Sequence, residues 1–157
     1  MNKDNLSALW DEITPKLYGY LVNTLRDKSL AEDILQNAWL KAIEGISRYR
    51  ESDAGFSAWL FAIARNECRQ HWRKSGREVP FDPALHDKEE ASSGQEDKIF
   101  LEQVLAKMSA DDRELLRLRY IAGLPLNQIA KILKINGVTV RVRMHRAIAG
   151  AKTLLQK

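Results

Sequence analysis

Apolar residues recur at three- and four-residue steps along most of the chain, the spacing that gathers side chains on one face of a helix. Leu6, Leu9, Trp10, Ile13, Leu17, Leu21 and Leu25 predict a first helix over about 5–26. Pro15 is placed to kink or divide it, because proline lacks an N–H and crowds the preceding turn. Ser29 and Glu32 have capping-box spacing and predict the start of a second helix, with Ile34, Leu35, Ala38, Ala42, Ile43 and Ile46 as its inner stripe. After the loop SRYRESDAG, a third helix is expected from Phe56 to Lys74, with Phe56, Leu60, Ile63 and Ala64 inward. Further on, Ile99, Val104, Leu105 and Met108 form a short stripe, and Ser109 with Asp112 repeats the capping box for a helix through Tyr120. Gly123 breaks the chain, and Pro125 suits the first turn of a helix reaching Leu133, where its missing N–H is not needed. KINGV reads as a tight turn before a last helix from Val138 to Leu155, with Val140, Met144, Ala147, Ala151 and Leu154 inward. No segment alternates as a strand does, so the expected fold is all-α.

Between the two groups of helices, Glu78 to Asp97 is acidic, contains Pro80, Pro83, Ser92, Ser93 and Gly94, and has no apolar period. It reads as a flexible acidic linker. The expected organisation is two small helical domains, 1–77 and 99–157, joined by residues 78–98. Each is within the size range of small domains that fold alone.

The net charge of +4 is unevenly spread. Residues 1–77 carry 12 Lys/Arg against 10 Asp/Glu, residues 78–100 carry 2 against 7, and residues 101–157 carry 11 against 4. A basic C-terminal third suits a polyanionic partner such as nucleic acid, and suits an ordinary soluble surface equally well. No apolar run approaches the ~18 residues of a membrane span, and MNKDNLSALWDE has neither a basic n-region nor an apolar h-region. The expected protein is cytoplasmic, without membrane insertion. Cys68 is the single cysteine, and His71, His86 and His145 lie in separate segments; no intramolecular disulfide, metal site or cofactor is expected. The chain also lacks a Gly-rich phosphate loop and a G-x-S-x-G elbow, so it is not expected to be an enzyme.

Three surfaces stand out. On the third helix, Phe61, Arg65, Arg69, Trp72 and Arg73 fall together on a helical wheel, opposite Leu60 and Ile63. Cations with aromatics suit single-stranded nucleic acid, where arginines meet phosphates and rings stack on bases; the same pattern also describes a solvated basic face with Trp72 tucked into a neighbour. The hairpin of Leu126–Leu133 and Val138–Leu155 has the layout of a helix-turn-helix, with Arg141, Arg143, His145 and Arg146 away from its apolar stripe. Tight helix pairs also occur in unrelated folds. On the second helix, Asp33, Gln36, Asn37 and Leu40 make a polar face with one exposed leucine, either a protein-docking surface or solvated helix.

Taken in order, AEDILQNAWLKAI (31–43), FSAWLFAIARNECRQHWRK (56–74), DDRELLRLRYIAGLPLNQIAKIL (111–133) and VTVRVRMHRA (138–147) resemble the extracytoplasmic-function group of bacterial RNA polymerase sigma factors. The resemblance covers nearly the whole chain. It implies a sigma-two helical bundle over 1–77 and a sigma-four helix-turn-helix domain over 99–157. The D-x-x-Q signature, Asp33 and Gln36, would dock on the clamp helices of the polymerase's largest subunit, with Asn37 and Leu40 beside it. Asn37 stands where the group usually has Glu. Arg48, Arg50 and the following loop and helix would capture the melted −10 element, its strand passing Phe61, Arg65, Asn66, Arg69, Trp72 and Arg73. The final helix would read the −35 element as duplex through Arg141, Arg143 and Arg146, with Thr139 at its start suited to bind phosphate by hydroxyl or backbone amide.

Three further departures mark the second unit. Val142 replaces a usual serine and suits a thymine methyl. Lys134 replaces the usual turn glycine, a strained choice if that residue is left-handed. Asn136 to Val138 replaces a Ser-x-Gly pattern, with Asn136 still able to cap the helix. The implied partners are core RNA polymerase and promoter DNA, and an anti-sigma factor as in many members of the group. Two other readings remain open on the residues alone: a helix-turn-helix transcriptional regulator that binds duplex DNA independently of polymerase, and a helical adaptor whose basic faces bind acidic proteins.

Overall fold

The computed structural model describes residues 3–50, 55–75 and 103–156. The expected linker, 78–98, and Ile99 lie outside them. Every regular element among the described residues is helical.

Helix α1, Lys3–Leu25, runs through Pro15 as one helix and buries Ile13, Leu17, Tyr20, Leu21 and Leu25. It ends where Arg26 takes a left-handed conformation, φ 59°, its N–H donating to Val22 O at 2.8 Å. That reversal leaves Asp27 extended, with its carboxylate over the next free amides, and Oδ1 accepts from Leu30 N at 3.1 Å. Helix α2, Lys28–Glu44, is therefore capped by Asp27 and not by Ser29. Aspartate is among the strongest N-caps, and it comes first in the chain. The buried stripe of α2 is Ala31, Ile34, Ala38, Trp39 and Ala42. Ile43, expected inward, is 50% exposed, because one step of about 100° beyond Ala42 carries it off that stripe.

A short 3₁₀ turn, Ile46–Arg48, leads to the loop before helix α3, Gly55–Ser75. Gly45 sits close under it: a Cβ there would meet Lys41 O at 3.2 Å and the Trp59 ring at 3.5 Å. Five aromatic rings hold this corner in an unbroken series. Trp10 lies on Trp39 (4.8 Å between centroids), Trp39 on Phe56 (5.8 Å), and Phe56, Tyr49 and Trp59 meet one another at 5.0–5.5 Å. Trp39 Nε1 donates to Thr14 Oγ1 at 3.1 Å, so the indole is buried with its N–H satisfied.

In the second unit residues 103–106 are helical. Ser109 then caps helix α4, Ala110–Leu116, accepting from Asp112 N at 3.2 Å as its spacing predicts. The expected helix through Tyr120 does not continue in α form. Arg117–Ile121 is a wide π turn, closed by Ala122 N to Arg117 O at 2.9 Å, and it turns both Arg117 and Leu118 into the interior. Gly123, φ 70°, then reverses the chain. Helix α5, Leu126–Leu133, follows Pro125, and helix α6, Gly137–Leu155, starts one residue before the expected Val138.

One core spans both units, from Leu17, Leu21, Ala38 and Leu60 to Leu115, Leu118, Ile129 and Val140. Helix α3 packs along α5, and α1 packs along the π turn. A second, smaller core of Val104, Leu105, Met108 and Ala147 ties residues 103–106 to α6.

Candidate nucleic-acid interface

The outward ridge of α2 carries Asp33, Gln36, Asn37 and Leu40, all exposed, as their spacing predicts. Leu40 is 56% exposed. Ile43, which the periodicity assigns to the core, extends this ridge with a second apolar side chain three residues on. Lys41 on the flank is ion-paired with Glu67 of α3, fixing the ridge relative to the neighbouring helix.

Beside the ridge, Arg48 and Arg50 are exposed at the entrance to the loop before α3. The half-buried rings of Tyr49 and Trp59 form the adjacent wall, a platform that sequence spacing does not reveal because the two residues lie in different elements. Along α3, Asn66, Arg69 and Arg73 form an exposed row at i, i+3 and i+7. Arg65 lies beside that row but is only 22% exposed in its side chain.

Phe61 corrects the expected aromatic-cation face. It is fully buried, edge-on to Tyr20 at 5.6 Å between centroids, and no part of it reaches the surface. The wheel places it opposite Leu60 and Ile63, but α3 is covered on two sides, by α1 and α2 on one and α5 on the other. A helix covered twice buries a wider arc than one stripe. Trp72 is half-buried against the same core, with Nε1 buried and lacking a hydrogen-bond partner. In this arrangement its ring packs against the protein.

The helix-turn-helix pair is assembled as its sequence suggests. Lys134 is left-handed, φ 59° and ψ 43°, at the turn where a glycine would be unstrained. Asn136 caps α6, and its Oδ1 accepts from Thr139 N at 2.7 Å. That bond corrects one expectation: the Thr139 amide is already engaged, and of its two candidate donors only the hydroxyl is left for a phosphate. Arg143 and Arg146 project from α6 as exposed cations, and Arg141 Nε donates back to Gly137 O at 3.2 Å. Val142 is 45% exposed and Val138 64% exposed. Being four residues apart, they form an apolar ridge between the cations, of which only Val142 is evident from the sequence.

The interface between the two units contains groups that the sequence does not single out. The Tyr20 hydroxyl donates to Glu114 Oε1. Arg65 Nε is 3.5 Å and Arg117 Nη1 3.6 Å from the same carboxylate, and Arg117 Nε donates to Asn23 Oδ1 at 2.8 Å. Burial raises the Tyr20 pKa well above its ordinary 10.0, and the Glu114 charge adds to that, so Tyr20 stays a donor. Burial lowers that of Arg117, opposed by Glu114. Burial pushes the Cys68 thiol up from 9.0 to about 12, with Glu114 and Glu67 adding to it. A thiol held that far from ionisation is no nucleophile. Among the described residues no cluster of His, Cys, Asp and Glu could hold a metal, and no helix is long and apolar enough to cross a membrane.

Both units are similar to parts of known proteins. Residues 9–78 match Sigma-70 region 2, and residues 101–149 match Sigma-70, region 4. The RNA polymerase sigma-H factor of Pseudomonas aeruginosa is 30% identical over 157 residues, which is 90% of this chain and 81% of that protein. The ECF RNA polymerase sigma factor BldN of Streptomyces coelicolor is 24% identical over 97% of this chain, which spans only 61% of BldN's length. Among solved structures, the sigma factor RpoE of Bartonella quintana, in complex with the anti-sigma factor NepR, is similar with a TM-score of 0.76 and 28% identity. That match covers 99% of this chain and 98% of the other.

Proposed function

The chain belongs to the extracytoplasmic-function RNA polymerase sigma factors, and on that premise we propose how its surfaces divide the work. It binds core RNA polymerase and directs promoter-specific initiation through −10 and −35 elements. It acts in the cytoplasm as a specificity subunit, without catalysis of its own.

The unit 1–77 docks on polymerase through Asp33, Gln36, Asn37 and Leu40, with Ile43 extending the apolar end of that ridge. Arg48 and Arg50 flank the Tyr49–Trp59 platform, and Asn66, Arg69 and Arg73 carry the unpaired strand onward by phosphate contacts. Arg65 joins them once the second unit moves off it. Phe61 and Trp72 support α3 from within. The unit 99–157 reads the −35 duplex: Arg143 and Arg146 meet phosphates or guanine edges, and Val142 meets a thymine methyl. Residues 78–98 tether the two units. Because each unit carries a modest set of contacts, affinity arises when polymerase holds both near one promoter, each raising the other's effective concentration. An anti-sigma factor is a natural further partner, since the similar Bartonella protein was solved with one.

The observation that carries this reading is the presence of three separate exposed faces, the α2 ridge, the α3 row and the α6 face, on one chain of this family. The test is binding by the purified full chain, first to core polymerase and then to promoter duplex with and without it. Tight association with core and weak, poorly selective association with duplex alone are expected. Tight sequence-specific binding to duplex alone, with no affinity for core, would instead identify a stand-alone regulator.

A further inference from the structure

The outermost line of α6 is not the surface of a helix that merely faces water. The buried stripe of the helix is Val140, Met144 and Ala147, and at about 100° per residue the positions directly opposite are Val138, Val142 and Ala149. All three are exposed, Val138 by 64% and Val142 by 45%. The polar and cationic side chains stand to either side, Arg141 and His145 along one flank, Arg143 and Arg146 along the other, each of them exposed. A solvated amphipathic helix has the reverse order, with charge on the line farthest from the core.

Folding does not account for the two valines. Valine is a poorer helix former than alanine, lysine or arginine, because its branched Cβ loses rotamer freedom against the preceding turn. Neither valine packs into either apolar core. The start of α6 is also satisfied from within: Asn136 Oδ1 accepts from Thr139 N at 2.7 Å, and Arg141 Nε donates back to Gly137 O at 3.2 Å. What the crest offers is therefore a methyl-bearing edge. Its counterpart in duplex DNA is the thymine 5-methyl, the apolar group that base pairs present in the major groove. That groove is about 12 Å wide and a helix with its side chains about 10–12 Å across, so when the crest reaches the base edges the flanks lie against the two phosphate strands. Arginines on both flanks then find their counter-charge, an arrangement that favours DNA over a protein surface as the occupant.

Resting on the −35 reading above, we propose that Val138 and Val142 together select thymine in the duplex that α6 reads, by packing against the 5-methyl groups of two thymines. Being four residues apart, the two side chains lie one above the other, about 6 Å apart along the helix axis, within reach of neighbouring base pairs at about 3.4 Å per step. Base identity is carried by this apolar crest, and Arg143 and Arg146 hold the register on phosphates. Uracil, which pairs as thymine does but lacks the methyl, is then a poor substitute at those two positions.

The test uses the full chain with core polymerase. Random-sequence duplexes are selected on that complex, on core alone and on the chain alone, and the enriched duplexes are resynthesised with each thymine of the upstream element replaced singly by deoxyuridine. At two positions the loss of the methyl is expected to weaken binding by about fourfold each, with every other replacement neutral. Val138→Ala and Val142→Ala should each abolish one of these two sensitivities, and the double variant should bind thymine and deoxyuridine duplexes equally. Because alanine is the better helix former, the variants should melt no lower than wild type. The proposal is overturned if no duplex is enriched, if no replacement weakens binding twofold, or if the variants remain as sensitive to the methyls as wild type. Failure of the sigma reading looks different: duplexes would be enriched on the chain alone and core would add nothing, while the same deoxyuridine comparison on those duplexes would still judge the valines.

Discussion

Leu40 offers a quantitative test of the α2 ridge, because an exposed leucine by itself is ordinary. Replacing it with alanine removes three carbons, whose complete burial is worth about 2.4 kcal/mol at ~0.8 kcal/mol each. Since the residue is 56% exposed in the free chain, about that share of the gain remains to be realised on docking, or ~1.3 kcal/mol. Leu40→Ala should therefore weaken core polymerase binding by about tenfold. The assay is competition against a labelled sigma factor for a fixed amount of core, with far-ultraviolet circular dichroism and a thermal melt to show that the variant is folded. Ile43→Ala, at the same end of the ridge, should weaken binding in the same assay. If folded Leu40→Ala binds core within twofold of wild type, Leu40 is merely solvent-exposed and the docking ridge must be drawn elsewhere.

Other consequences follow from local geometry. Lys134→Gly should raise stability, since relief of ~1–2 kcal/mol of left-handed strain outweighs the ~0.4–1 kcal/mol that glycine's added freedom costs; a melting temperature a few degrees higher is expected, and a lower one would show that Lys134 is held by something beyond the turn. Asn136→Ala removes the cap on Thr139 N and should cost about 1 kcal/mol, seen as faster hydrogen exchange at the first turn of α6; unchanged exchange there would refute the capping argument. Cys68 has a folded pKa raised to about 12 from 9.0, and that of Tyr20 is raised well above 10.0. The stability each group lends is thus fully present below its unfolded pKa and is lost as pH rises through the alkaline range towards the folded value. Urea midpoints should fall from neutral to alkaline pH, and fall less in Cys68→Ala/Tyr20→Phe; an equal fall in both proteins would remove these two groups as the cause.

How far the sequence revealed this molecule depended on whether a residue's fate was decided locally. The Ser109 and Asn136 caps, the turn at Lys134 and the apolar stripe of α6 follow from neighbours within four residues, and spacing predicts them well. Spacing places the start of α2 at Ser29, two residues too far along, because nothing local shows that the left-handed Arg26 swings Asp27 into the capping position. Ile43 and Phe61 escape the periodicity for a common reason: a helical wheel shows where a side chain points but not how many neighbours the helix has. Ile43 lies where α2 has no neighbour, and Phe61 where α3 has one on each side. The Glu114 cluster brings Asn23 against Arg117 and Tyr20 against Glu114, each pair 94 residues apart. No local pattern encodes such a meeting, and the π turn that directs Arg117 inward has no signature in RLRYI. The candidate surfaces on α2 and α6, by contrast, were legible because exposed charges on an amphipathic helix are a local property.

Whether one chain directs polymerase through two promoter elements is read from transcription in vitro. Purified core polymerase from the source bacterium would be combined with this protein on fragmented genomic DNA, and the start sites mapped. Wild type should produce discrete new start sites sharing spaced upstream elements, and both Asp33→Ala/Gln36→Ala and Arg143→Ala/Arg146→Ala should abolish them. An absence of start sites, or start sites that persist unchanged in either folded double variant, would rule out that role.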